Sequence, residues 1–224
     1  MLAFACMAFE LRERCSNVVV MTDLNCAGHI ASFAASALKA YVGMPPWDLT
    51  IRSRAIVEDL FASLGREYHF EDCIAIHKSA RIEPGAVVKG PAIIGPDCFV
   101  ASGAYIRDGC WLDARCILGP GAELKSSFLF EGVKLAHFNF VGDSILGAGC
   151  NLEAGSIIAN YRNERADPAI RFSVNGEWIS TGVEKFGALL GDGVRIGANA
   201  VIAPGALLTA GCIVPRLALV DQNT

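Results

Sequence analysis

The chain has 224 residues, 53% of them hydrophobic, and a formal net charge of −4, which allows one domain of ordinary size plus an appendage but not two large ones. A negative balance gives no general attraction to a phosphate backbone, so nucleic acid is excluded as an expected partner. No run approaches the roughly 18 apolar residues of a membrane span, and the nine cysteines, odd in number and without paired spacing, point to a reducing compartment, the cytoplasm.

In chain order, Met1–Phe9 is apolar but is followed at once by Glu10, Arg12, Glu13 and Arg14, unlike a secretory signal. Ala27–Tyr41 is rich in Ala and short of breakers, and stops at Gly43 and Pro45–Pro46; it is expected to be helical. Ser53–Leu64 sets Ile56, Leu60 and Leu64 on one helical face and ends at Gly65. Residues 1–70 therefore read as a helical N-terminal segment, packing on the main body or on a neighbouring subunit.

From Ile76 the period becomes six: Ile76, Ile82, Val88, Ile94, Val100, Ile106, Leu112, Leu118 and Leu124 follow without a miss. Four positions after each, up to residue 122, sits Ala or Cys. After a shift near 129–141 the series resumes at Leu146, Leu152 and Ile158, and again at Leu190, Ile196, Ile202, Leu208 and Val214. Such a repeat is satisfied by a solenoid whose coils each take three hexads, with large aliphatics inward and small residues at the corners, so Cys98, Cys110, Cys116, Cys150 and Cys212 read as corner residues. Residues 71–216 form this expected domain and 217–224 a C-terminal tail. Within it 162–187 interrupt the hexads, where IRFSV, Asn175–Gly176 and EWIST predict a β-hairpin, either reaching over a binding groove or serving as a structural loop.

Residues 18 apart lie on adjacent coils roughly 4.8 Å apart. Arg107 and Lys125 have that separation, and read either as a phosphate clamp or as two solvated surface cations. His137 lies in the irregular KLAHFNFVGDS; an imidazole there is a candidate general base for an attacking amine, or a structural histidine. Glu123, Asn151, Asn160 and Tyr161 are polar where a packed coil has no use for such groups.

The hexads resemble the hexapeptide-repeat acyltransferases, which implies a mainly β fold, a single-stranded left-handed parallel β-helix. The stretch 123–161, ELKSSFLFEGVKLAHFNFVGDSILGAGCNLEAGSIIANY, resembles the acetyltransferase half of the bacterial bifunctional N-acetylglucosamine-1-phosphate uridyltransferase/glucosamine-1-phosphate acetyltransferase family, and the likeness extends back to Arg107 and forward to about residue 214. The resemblance implies an acetyl-CoA-dependent N-acetyltransferase of an amino-sugar phosphate. His137 would be its base and Glu123 the carboxylate near it, with Arg107, Lys125 and Lys185 on the sugar phosphate. Asn151, Asn160 and Tyr161 would contact the sugar, and Ala154 and Ala198 would lie along the acyl-carrier arm. It further implies a homotrimer and no metal. Departures are Phe140, where the family has a tyrosine, and the family's C-terminal arm with its CoA-binding arginine, for which Arg216 is the candidate substitute. The likeness does not extend to the family's nucleotidyltransferase domain, so uridylyl transfer is not expected of these residues. The alternative is a sugar-phosphate-binding or regulatory module without turnover. A zinc hydratase on the same solenoid is not expected, since His29 and His69 lie outside it and His77 at its first turn.

Overall fold

A computed structural model describes residues 24–174 and 177–221. The start of the N-terminal segment, the Asn175–Gly176 turn and residues 222–224 lie outside the described residues. From Ile74 to Val220 the chain winds as a parallel β-solenoid whose three sheets each contain seven parallel strands, and an antiparallel strand, Tyr68–Glu71, extends the first.

The register explains the period of six. Sheet A stacks Ile76, Ile94, Leu112, Leu129, Leu146, Leu190 and Leu208 inward, sheet B runs from Ile82 to Val214, and sheet C from Val88 to Val220. These columns form one continuous core that also holds Cys98, Cys110, Cys116, Cys150 and Cys212 among its small residues. Parallel strands buried on the inner face and stacked about 4.8 Å apart pair their ladder groups with the coils above and below, except at the outer edge of the end coils.

The shift expected near 129–141 consists of two shortened steps, one at each end of that stretch. Leu129 follows Leu124, and Leu146 follows Val141, after five residues instead of six. Both shortened steps are corners from sheet C to sheet A, and hydroxyls repair them: Ser127 Oγ donates to Lys125 O at 2.6 Å and accepts from Ser144 N at 3.0 Å, while Ser144 Oγ donates to Gly142 O at 2.7 Å and accepts from Ala188 N at 3.1 Å.

The outward column of sheet A, Ala75, Ile93, Trp111, Phe128, Ile145, Leu189 and Leu207, is also apolar, and it packs into a second core with Ile30, Phe33, Leu38, Trp47, Ile56 and Leu60 of the N-terminal segment and Ile170, Phe172 and Phe186 of the insertion. Trp47 and Phe172 meet at 5.2 Å, so the segment and the hairpin cover one face of the solenoid together. The hairpin pairs Arg171–Val174 with Glu177–Ser180.

The structure departs from expectation in the N-terminal segment and at both ends of the solenoid. Ala27–Tyr41 is not one helix: it breaks into short turns at Cys26–Gly28, Phe33–Ala35 and Ala37–Tyr41, because Ser36 takes an extended backbone, donates to Phe33 O and accepts from Leu38 N, replacing the helical bonds. Helices form at Pro46–Ile51 and Ser53–Phe61. β-Structure begins at Tyr68, inside the expected helical segment, and the solenoid runs past 216 to Leu219–Val220. Arg162, 1% exposed, anchors that last coil through Asp221 at 2.8 and 3.0 Å and Pro204 O at 2.8 Å. No helix among the described residues is long and apolar enough to cross a membrane.

Candidate functional site

The corner between sheets B and C carries a straight column. Gly155 N donates to His137 O at 2.8 Å, Asn199 N to Ala154 O at 3.0 Å, and Leu217 N to Ala198 O at 3.0 Å. The same bond at each coil places His137, Ala154, Ala198 and Arg216 one above another, three steps of roughly 4.8 Å. The insertion hides this alignment in sequence. His137 is exposed. Beside the column Phe138 and Leu217, 73% and 79% exposed, take left-handed backbones with φ of 51° and 60°, a conformation bulky side chains rarely adopt outside special sites. Neither was marked by type or spacing; the signal was an apolar residue at a corner position that favours Gly or Asn.

On sheet B, beside this column, Asn151, Glu153, Arg195 and Arg216 line a cavity of about 350 Å³. Arg216 donates to both Glu153 oxygens at 2.8 and 2.9 Å, and Ala198 N donates to the same carboxylate at 2.9 Å. The guanidinium first, and then this backbone N–H, hold the Glu153 carboxyl below its ordinary range. Asn151 pairs in register with Lys134 and Arg195, so within one chain it lies in this groove and not with the other expected sugar contacts.

Those contacts gather at the opposite edge of sheet C. Arg107, Lys125, Phe140, Asn160, Tyr161 and Lys185 line a cavity of about 580 Å³ with Glu184. Arg107 and Lys125 are direct register partners, as their separation predicted, but neither is a free cation. Arg107 donates to Glu123 at 2.9 Å and to Asp108 at 2.7 Å; Lys125 donates to Asp143 at 3.1 and 3.0 Å. Asn160 donates to the same Asp143 carboxylate. The shortened corner between Val141 and Leu146 brings Asp143 against Lys125, which is why two cations can stack.

The Glu123 carboxylate serves Arg107, and no hydrogen bond joins it to His137 among the described residues. Asp108 and Asp143 were not singled out from sequence, since nothing local separates a corner aspartate that faces a cation a coil away from one that faces water. His137 lines neither cavity.

Residues 74–108 match the family described as "Bacterial transferase hexapeptide (six repeats)". The chain is 34% identical over 160 residues to a bifunctional sugar-1-phosphate nucleotidylyltransferase/acetyltransferase of Sulfurisphaera tokodaii, covering 63% of this chain and 39% of that protein. It is 30% identical over 184 residues to the bifunctional protein GlmU of Methanococcus vannielii, covering 80% and 43%. The chain thus spans about two fifths of the length of these relatives. A similar solved structure is the acetyltransferase domain of PglB from Neisseria gonorrhoeae in complex with acetyl coenzyme A, at 16% identity and a TM-score of 0.35, covering 75% of this chain and 60% of that one.

Proposed function

We propose that this chain, a hexapeptide-repeat protein similar to bifunctional sugar-1-phosphate acetyltransferases, is an acyl-CoA-dependent N-acyltransferase that uses acetyl-CoA and acts on an amino-sugar phosphate such as glucosamine-1-phosphate. The observation that carries the reading is the column His137–Ala154–Ala198–Arg216. Two alanines leave a smooth track between an imidazole and a guanidinium. A pantetheine arm laid along it sets its thioester at His137 and its phosphates at Arg216 and Arg195, where a Glu153 oxygen must first give way.

In this mechanism His137 takes a proton from the amine as its nitrogen attacks the thioester carbonyl. The C–N bond forms, the C–S bond breaks, and the CoA sulfur leaves and is protonated. No covalent enzyme intermediate is needed. The cation pocket holds the acceptor phosphate through Arg107, Lys125 and Lys185, with Asn160 and Tyr161 beside the sugar.

His137 and the pocket flank sheet C. Gly142, the register partner of Lys125, lies five positions after His137, a span of at most about 18 Å. Between them the outward column of sheet C presents Val87, Tyr105, Phe140, Ile157, Val201 and Leu219, interrupted by Glu123, whose carboxylate is taken by Arg107, with Leu219 67% exposed. A second copy on this face buries the strip and sets the column of one copy beside the pocket of the next; a closed homotrimer does so for every copy.

Thiol release from acetyl-CoA is measured with glucosamine-1-phosphate and other amino-sugar phosphates. Turnover should fall by about 10²-fold or more in His137→Ala. Sugar-phosphate binding without thiol release from any acceptor would replace the reading with that of a binding module.

A further inference from the structure

A second cavity of about 580 Å³ adjoins the cation pocket and shares its wall of Lys125, Glu184 and Lys185. Its far side comes from outside the solenoid: Ile51 and Arg54 of the N-terminal segment, facing Asp108, Ser126 and Val183. Each chamber alone falls within the usual size of a small-molecule site, so an amino-sugar monophosphate held by Arg107, Lys125 and Lys185 leaves the second one empty.

The segment is fixed where it borders this space. Ser53 Oγ donates to Asp108 O at 3.2 Å, and a Cβ on Gly109 would come within 2.5 Å of Arg54 N, so glycine there permits the contact. The Arg54 side chain, in contrast, is loosely held. It is 59% exposed and stands 3.7 Å from Asp108, a carboxylate already bonded to Arg107 at 2.7 Å. Asp143, the next carboxylate on the wall, is taken by Lys125 and Asn160. Of these cations, Arg54 can exchange its carboxylate for a phosphoryl oxygen at least cost, since exposed pairs are weak and arginine–phosphate pairs are strong. Ile51, 60% exposed, gives the same chamber an apolar surface.

We infer that the acceptor is longer than a sugar monophosphate: a nucleoside diphosphate amino sugar, with the phosphoryl next to the sugar between Lys125 and Lys185, the second on Arg54, and the nucleoside against Ile51 and Val183. This rests on the cation pocket being the acceptor site, as proposed above.

Binding of UDP-glucosamine and of glucosamine-1-phosphate is measured by calorimetry on the full chain and on Arg54→Ala, and thiol release is followed with each. The full chain should bind UDP-glucosamine at least about tenfold more tightly, and Arg54→Ala should abolish that preference while leaving glucosamine-1-phosphate binding unchanged. Equal affinities in the full chain, or a loss in Arg54→Ala shared by both ligands, overturns the inference. If the preference holds but neither ligand supports thiol release, the two-chamber site stands and the acyl-transfer reading fails. Binding of neither ligand sinks both.

Discussion

Replacing Asp143 by Ala removes the carboxylate that Lys125 and Asn160 share. The side chains of Lys125 and Asp143 are 16% and 7% exposed, so the lysine is left nearly dry and unpaired. Breaking a buried pair from one side costs about 3–5 kcal/mol, which for a chain of this length is a fall in Tm on the order of 6–20 °C. The same change removes the group that orients Lys125 within the pocket, so KM for the acceptor should rise while KM for acetyl-CoA does not. The double variant Lys125→Met with Asp143→Leu separates the two roles, since a buried pair replaced by apolar groups is often neutral: it should recover most of the Tm and none of the acceptor binding. Calorimetric melts and steady-state kinetics report both. An Asp143→Ala protein with an unchanged Tm and an unchanged acceptor KM would refute the claim that this carboxylate organises the pocket.

At the donor end, Glu153→Gln keeps an acceptor for Ala198 N but releases Arg216, so KM for acetyl-CoA should fall in kinetic assays, and more so at low salt. Because the Glu153 carboxyl is held below its ordinary range, its pairing with Arg216 is fully present above the unfolded-state pKa and is lost only as pH falls through the lower, folded value; Glu153→Gln should therefore alter the pH profile of CoA binding only in acid, with the same profile as wild type through neutral pH. Ala198→Trp should obstruct the column and raise KM for acetyl-CoA at least about tenfold, with Tm little changed because the position faces outward; an unaltered KM would remove the column from the donor site. Burial pushes Cys26, Cys110 and Cys150 up to about 12, and Cys73 is exposed, so peptide mapping after native alkylation at pH 8 should find Cys73 labelled and these three labelled only after unfolding.

The solenoid was legible because its core obeys one rule at every coil: aliphatics six apart and small residues between them cannot be satisfied by helices or by alternating strands. The stacking of Arg107 on Lys125 followed from the same arithmetic. The shift near 129–141 was legible, but its form as two five-residue corners was not, because the hydroxyls of Ser127 and Ser144 that restore the lost bonds are ordinary turn residues in sequence. The three-turn path of Ala27–Tyr41 was hidden too, since Ala-rich propensity is overridden where Ile30, Phe33 and Leu38 must fit the outer face of sheet A. The carboxylates that occupy Arg107, Lys125 and Arg216 lie one or more coils away from them, except Asp108, so the cations read from sequence as free. The column from His137 to Arg216 became visible as an alignment only once the insertion between Ile158 and Ala188 was seen to leave the coil register intact.

Transfer from a column on one copy to a pocket on the next is tested most directly by pairing His137→Ala with Lys125→Gln, each inactive alone, in co-expressed hybrid assemblies. If the site is shared between neighbouring copies of a closed trimer, an equal mixture should regain about a quarter of the wild-type turnover, the fraction of sites with an intact histidine on one side and an intact lysine on the other. Hybrids as inactive as their parents, in assemblies shown to contain both chains, would place both groups in one chain and contradict the shared site.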